Sequence, residues 1–145
     1  MAAPLIYDIT HVIQLAVAPV FMLTAVGTII SALSVRLGRA VDRRRVLEAA
    51  LGQLAAETAR SAHEELAQIA RRVRTVYFAI LCAVLSALFV CLLIAAAFVG
   101  AFVSVNLSST IGALFVLAVL ALIACLLLFL REIFLAVTAP RHAVP

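Results

Sequence analysis

Eight arginines form two clusters at the ends of one polar segment, and their guanidinium groups are well suited to binding anions. Five lie between residues 36 and 45, and three lie between residues 71 and 74. Guanidinium binds phosphate and carboxylate through paired hydrogen bonds, and arginines beside a membrane attract anionic headgroups. We therefore expect contact with anionic lipid, or alternatively an anion or phosphate site or a charged pore mouth. The eight residues are Arg36, Arg39, Arg43, Arg44, Arg45, Arg71, Arg72 and Arg74.

One acid lies inside the first arginine cluster. Asp42 is three residues from both Arg39 and Arg45, a spacing that makes side chains neighbours on a helix. A segment that only anchors the chain to lipid does not need this carboxylate. Asp42 therefore predicts a structural ion pair within a fixed network.

A second polar set interrupts the first apolar segment. At 100° per residue, the polar members fall within roughly one 100° arc of a helix, with a glycine beside it. Small residues on one helix face favour close contact with another helix, and the alternative is a face that lines a water-filled pathway. The members of this set are Gln14, Thr24, Gly27, Thr28 and Ser31.

The sequence contains no pattern that predicts catalysis. It has no paired nucleophile and base, no glycine-rich phosphate loop and no metal-ligand spacing among its three cysteines. We therefore expect a protein that is not an enzyme and that needs no cofactor or metal.

Three long apolar segments must hold these polar groups in place. Hydrophobic residues make up 67% of the 145 residues and charged residues only 12%, whereas a soluble domain is about one quarter charged. The segments at about 12–35, 76–103 and 110–130 are each long enough to cross a bilayer as a helix. Arg131 and Glu132 follow the third segment and are expected to anchor it at the interface. The fold class is therefore all-α, in a single membrane domain.

The polar segment at about 36–75 predicts a helical hairpin that extends the first and second membrane helices. Apolar residues recur in it at helical spacing. Ser61 with Glu64 forms a capping box, which predicts a turn near residues 59–61 and a new helix after it. The alternative is an arginine-rich helix lying flat on the membrane, with a bend at Gly38.

The arginines also predict an orientation. Nine of the 11 lie between the first and second apolar segments, and the other two follow the third. Positive residues favour the cytoplasmic side of a membrane. We therefore expect the N-terminus outside, and the hairpin and C-terminus in the cytoplasm.

Three stretches carry a family resemblance: the run from Ile13 to Phe21, the run from Arg36 to Arg43, and Leu128 to Glu132 in the third apolar segment. They resemble an uncharacterised bacterial membrane family, the domain of unknown function 2721. The resemblance implies three spans with an arginine-rich cytoplasmic segment. We expect the protein to lie in the inner membrane of a bacterium. It brings no activity, cofactor or catalytic residue.

Together these features predict a non-enzymatic homo-oligomer that acts through assembly or through contact with a partner or with lipid. Three helices make a thin bundle, and the polar face of the first helix needs a partner. The alternative is a homo-oligomeric ion or small-solute channel whose pore is lined by the first helix. No feature predicts binding to nucleic acid.

Overall fold

The computed structural model describes residues 3–53, 56–103 and 106–138, and their regular structure is helical throughout. Helix α1 runs over Ala3–Ala50 and is followed by a short 3-10 turn at Leu51–Gln53. Helix α2 runs over Ala56–Val103, and α3 over Ser108–Thr138. The all-α prediction is confirmed.

Each of the three helices contains a stretch that is long and apolar enough to cross a membrane. These stretches are Ala16–Ala50, Ala59–Val103 and Ser108–Leu135. The apolar segments predicted from the sequence lie within or largely overlap them, because such segments satisfy their backbone hydrogen bonds internally only as helices. The third stretch extends past residue 130, so Arg131 and Glu132 lie inside α3 and do not end it.

The predicted position of the turn in the polar segment, near residues 59–61, is wrong. The first helix ends at Ala50, and Ser61 and Glu64 lie in the interior of α2. Residues 56–60 contain neither glycine nor proline, so the helix starts before the capping box, whereas Gly52 lies in the turn. Helix α1 also continues through Gly38, where the alternative arrangement needed a bend.

The chain divides into two compact units, each of which takes one part of every long helix. One contains Met1–Ile30 and Cys82–Ala124, and we call it the apolar unit. The other contains Ser31–Leu81 and Cys125–Pro145, and we call it the arginine unit. In the apolar unit, the hydroxyl of Ser86 on α2 donates to the carbonyl oxygen of Ala118 on α3 at 2.8 Å, and both residues are fully buried.

Buried residues recur every seven positions in all three helices. This spacing keeps one face of a helix against its neighbours when helices pack at a shallow angle. In α3 the row consists of Ala118, Cys125 and Glu132, so a carboxylate follows two small side chains in the buried row. The corresponding rows are Pro19, Val26 and Leu33 in α1, and Ala62, Ile69, Val76, Ala83 and Val90 in α2.

Candidate functional site

The part of the arginine unit built by α1 and α2 is an antiparallel pair of helices with mixed charges on its surface. Arg43 on α1 donates through Nε to Oε1 of Glu65 on α2 at 3.0 Å. Within α1, Arg44 donates to Glu48 at 2.7 Å. All four side chains are exposed by two fifths or more, so each pair contributes only about 0–1 kcal/mol. These two ion pairs place opposite charges next to each other on the surface but contribute little to the stability of the fold.

A buried carboxylate lies in the same unit. Glu132 is 7% exposed and occupies the seven-residue row of α3. Among the described residues, its Oε2 atom has no hydrogen-bond partner. Burial of a carboxylate is unfavourable unless hydrogen bonds or opposite charges compensate for the lost water, so the surroundings of this group must supply that compensation.

Two guanidinium groups act on Glu132, one from each of the other helices. Arg72 of α2 and Arg36 of α1 both interact with its carboxylate electrostatically. Arg36 lies over the ring of Phe129, 5.1 Å from its centroid, and Arg72 donates through Nη2 to the carbonyl oxygen of Leu135 at 3.2 Å. Phe129 precedes Glu132 by three residues and Leu135 follows it by three, so they lie about 60° to either side of it. The cluster therefore combines one charged residue from each helix.

The contact of Arg72 also stabilises the end of α3. Leu135 lies in the last turn of this helix, which ends at Thr138. The last four carbonyl groups of a helix lack intrahelical partners and carry its negative dipole end. A guanidinium there supplies both a donor and a positive charge, so Arg72 links α2 to α3 by a polar contact.

The eight arginines predicted to bind anions therefore divide into three groups. The exposed Arg36 and the half-buried Arg72 interact electrostatically with the buried glutamate. Arg39, Arg45 and Arg71 are exposed. Three others make surface contacts: Arg43 and Arg44 form the ion pairs above, and Arg74 lies over the Phe78 ring at 5.8 Å from its centroid. Asp42 is exposed, and the acids in the ion pairs found among described residues are Glu48 and Glu65. The structural ion pair predicted for Asp42 stays a prediction.

Sequence reasoning missed the burial of Glu132. It treated Arg131 and Glu132 together as an interfacial anchor, although only Arg131 is exposed. The available signal was the spacing of Ala118, Cys125 and Glu132, which places the carboxylate on the buried face of α3.

The polar face of α1 points away from the rest of the chain. All five of its predicted members, Gln14, Thr24, Gly27, Thr28 and Ser31, are exposed. The hydroxyl of Thr24 donates to the carbonyl oxygen of Val20 at 3.3 Å, and that of Thr28 donates to the carbonyl oxygen of Thr24 at 3.1 Å. A side chain added at Gly27 would meet nothing within 4 Å. This face is therefore open, and its two threonine hydroxyls are satisfied by their own helix.

The composition and the helices define a class, the multi-pass membrane proteins with three candidate spans. The chain belongs to the family described as Protein of unknown function (DUF2721), which it matches over residues 16–142. The resemblance seen in the sequence is thereby confirmed. Comparison with curated proteins and with solved structures finds no match. Among the described residues, no group of three or more His, Cys, Asp or Glu side chains can hold a metal ion.

Proposed function

We propose that this chain is a non-enzymatic protein of the bacterial inner membrane that acts by self-assembly through the polar face of α1. The observation that carries the proposal is that this face is exposed while the hydroxyls of Thr24 and Thr28 are already bonded to backbone carbonyls. Hydroxyls satisfied in this way can enter a dry helix contact, and Gly27 lets a second backbone approach closely.

The exposed apolar surface supports a membrane setting for this assembly. Phe21 on α1 and Phe102 on α2 are each 69% exposed, and water would disfavour such surfaces over so much of a small protein. In the proposed orientation, the arginine unit lies at the cytoplasmic face and contacts anionic headgroups through its exposed arginines. The support for this orientation is the positive-inside rule, since nine arginines lie between the first and second spans.

The second candidate is a homo-oligomeric channel with α1 around a central pathway. The observation that favours it is the row of exposed hydroxyls on a helix that is otherwise apolar. Arginines at the cytoplasmic mouth of such a pore would favour anions. Assembly remains the better-supported function because the two hydroxyl donors are used within α1 and are not directed to a passing ion.

The native mass of the purified full chain in detergent tests the proposal. We expect a multiple of the 15.4 kDa chain mass. Gly27→Leu should lower the oligomer fraction, because a branched side chain keeps the helices apart. Gly112→Leu is the matched control, since Gly112 is also exposed, on α3, with nothing within 4 Å of an added Cβ.

A monomer at all protein concentrations, or equal effects of the two leucine variants, would contradict assembly through this face. The same preparations are then placed in planar bilayers. A steady conductance that Gly27→Leu abolishes would favour the channel, whereas an intact oligomer without conductance leaves assembly as the function.

A further inference from the structure

Two exposed arginines on one face of α2 are the last charged residues before its apolar stretch. Arg71 and Arg74 are both exposed. Three residues apart on a helix, they are surface neighbours, with about 5–6 Å between their Cβ atoms. At 100° per residue, Phe78 falls between them in angle and one turn further along α2. No charged residue follows Arg74 up to the end of the helix at Val103.

Aromatic contacts hold Arg74 at the boundary between the charged and apolar parts of α2. Its guanidinium carbon lies over the Phe78 ring, 5.8 Å from the centroid. The Tyr77 ring meets Phe78 edge-on, with 6.1 Å between the centroids. A ring attracts a cation through its quadrupole and does not neutralise the charge. Arg43 and Arg44 differ in this respect, because each is bonded to a carboxylate.

No acid compensates for these two charges. Among the described residues, neither Arg71 nor Arg74 is in an ion pair. The acids that precede them on α2 are Glu64 and Glu65, seven and six residues before Arg71. That separation is about 9–10 Å along the helix axis, and Glu65 already accepts a hydrogen bond from Arg43. The pair therefore presents two uncompensated positive charges at one position on the surface.

We propose that Arg71 and Arg74 together bind the phosphate of one anionic phospholipid. Guanidinium groups donate paired, charge-assisted hydrogen bonds to phosphate oxygens. Phe78 and Leu81, which are 42% and 41% exposed, follow on the same side of α2 and contact the glycerol and the first acyl carbons. The order along the helix is that of a lipid in a bilayer, with the phosphate at the interface and the acyl chain toward the centre. This inference deepens the proposed function and rests on it only in placing the arginine unit at a headgroup layer.

The charges of this site favour a headgroup with a net negative charge. The amine of a zwitterionic headgroup would lie beside two guanidinium groups, and Arg71, Arg74, Phe78 and Leu81 include no carboxylate that could accept from it. Phosphatidylglycerol ends in hydroxyl groups and adds no positive charge. Each arginine near an anionic lipid favours binding by about fivefold, so the two together give a preference of about 25-fold.

Native mass spectrometry of the full chain tests the proposal with phosphatidylglycerol, phosphatidylethanolamine and phosphatidylcholine of identical acyl chains. The measured quantity is the Kd of the first bound lipid. We expect phosphatidylglycerol to bind about 25-fold more tightly than the other two. Arg71→Gln and Arg74→Gln should each weaken phosphatidylglycerol by about fivefold and change the two zwitterionic lipids by less than about twofold.

Arg60→Gln is the matched control. Arg60 is an exposed arginine of α2, eleven residues before Arg71. It lies within about 20° of the same helix face and about 16 Å further from the apolar stretch. The variant removes the same charge from the same helix, and it should change the Kd of phosphatidylglycerol by less than about twofold because salt screens charges at that distance.

Two variants of Phe78 test whether the ring positions Arg74. Phe78→Leu keeps an apolar side chain but removes the ring, and it should weaken phosphatidylglycerol by about two- to fivefold. Phe78→Tyr should restore wild-type binding, since it returns an aromatic face. A leucine variant that binds phosphatidylglycerol as tightly as the wild type would overturn the placement of the phosphate at Arg74.

Equal binding of the three lipids would overturn the proposal. So would equal losses in Arg60→Gln and Arg71→Gln, because the lipid would then respond to overall charge and not to this site. Inorganic phosphate in large excess should leave phosphatidylglycerol bound, and its displacement would show a site for free anions and not for lipid. The oligomer size is read from the same spectra, so the failure of self-assembly and the failure of lipid selectivity are seen separately.

Discussion

The apolar unit and the arginine unit each bury one polar side chain among the described residues, and they treat it differently. Ser86 in the apolar unit is fully buried and donates to the carbonyl oxygen of Ala118. Glu132 in the arginine unit is 7% exposed, and its Oε2 atom has no hydrogen-bond partner among those residues. A satisfied buried group holds helices together, whereas an unsatisfied one has a remaining capacity to bind.

The difference also reflects the charges around each group. The neighbours of Ser86 in the core rows are small apolar residues such as Ala83 and Ala118, which allow a short contact between α2 and α3. Glu132 needs positive charge near it, and Arg36 and Arg72 both interact with it electrostatically. A substitution of the buried polar residue should therefore cost far more stability in the arginine unit than in the apolar unit.

Reversal of the buried charge should have the largest effect. Glu132→Lys places a third cation beside Arg36 and Arg72 in a buried position, and we expect a loss of about 3–5 kcal/mol, the usual result of an uncompensated buried charge. The measurement is the thermal unfolding midpoint of the full chain in detergent.

The control for this variant is Glu48→Lys, which reverses an exposed acid of the same unit and breaks its contact with Arg44. It should change stability by about 1 kcal/mol or less. Similar losses for the two variants would show that Glu132 is not in a special environment, and the contrast between the units would disappear.

Loss of the buried hydroxyl should have an intermediate effect. Ser86→Ala removes the bond to Ala118, and the expected loss is about 1 kcal/mol, since the Ala118 carbonyl can keep its helical hydrogen bond. Ser34→Ala, at an exposed position of α1, is the control and should lie within about 0.5 kcal/mol of wild type. If Ser86→Ala were as damaging as Glu132→Lys, the apolar unit would depend on its polar contact as much as the arginine unit does.

The sequence was sufficient to predict the three helices but not the partners of the arginines. Apolar runs of this length have one stable secondary structure in lipid, so the number of spans follows from composition. The partner of Arg36 depends on the register between α1 and α2, which the turn at Leu51–Gln53 sets. A turn at 59–61 would place Arg36 opposite the apolar part of α2, well away from Arg72.

The sequence pattern was also not sufficient to predict which individual side chains are buried. The polar face of α1 was predicted from angular position alone, and its members are exposed while Val26 and Leu33 on the opposite side are buried. Its role in packing or in lining a pore stays a prediction. The spacing of Glu132 matches the buried row of α3. Its position beside Arg131, directly after an apolar segment, instead favours an anchor at the membrane interface. Only the packing of α1 and α2 against α3 distinguishes a buried glutamate from an interfacial anchor.

The smallest expected effect concerns the surface ion pair that joins α1 and α2 in the arginine unit. Arg43 and Glu65 are 58% and 42% exposed, so water and salt screen their interaction. A double-mutant cycle with Arg43→Gln and Glu65→Gln should give a coupling of about 0.2–1 kcal/mol that decreases when salt is added. A coupling above about 2 kcal/mol that does not respond to salt would mean that the pair is desolvated, as it would be if a second chain covered this surface. The register of the hairpin would then depend on surface charge, and Glu132 would no longer be the main electrostatic determinant of the arginine unit.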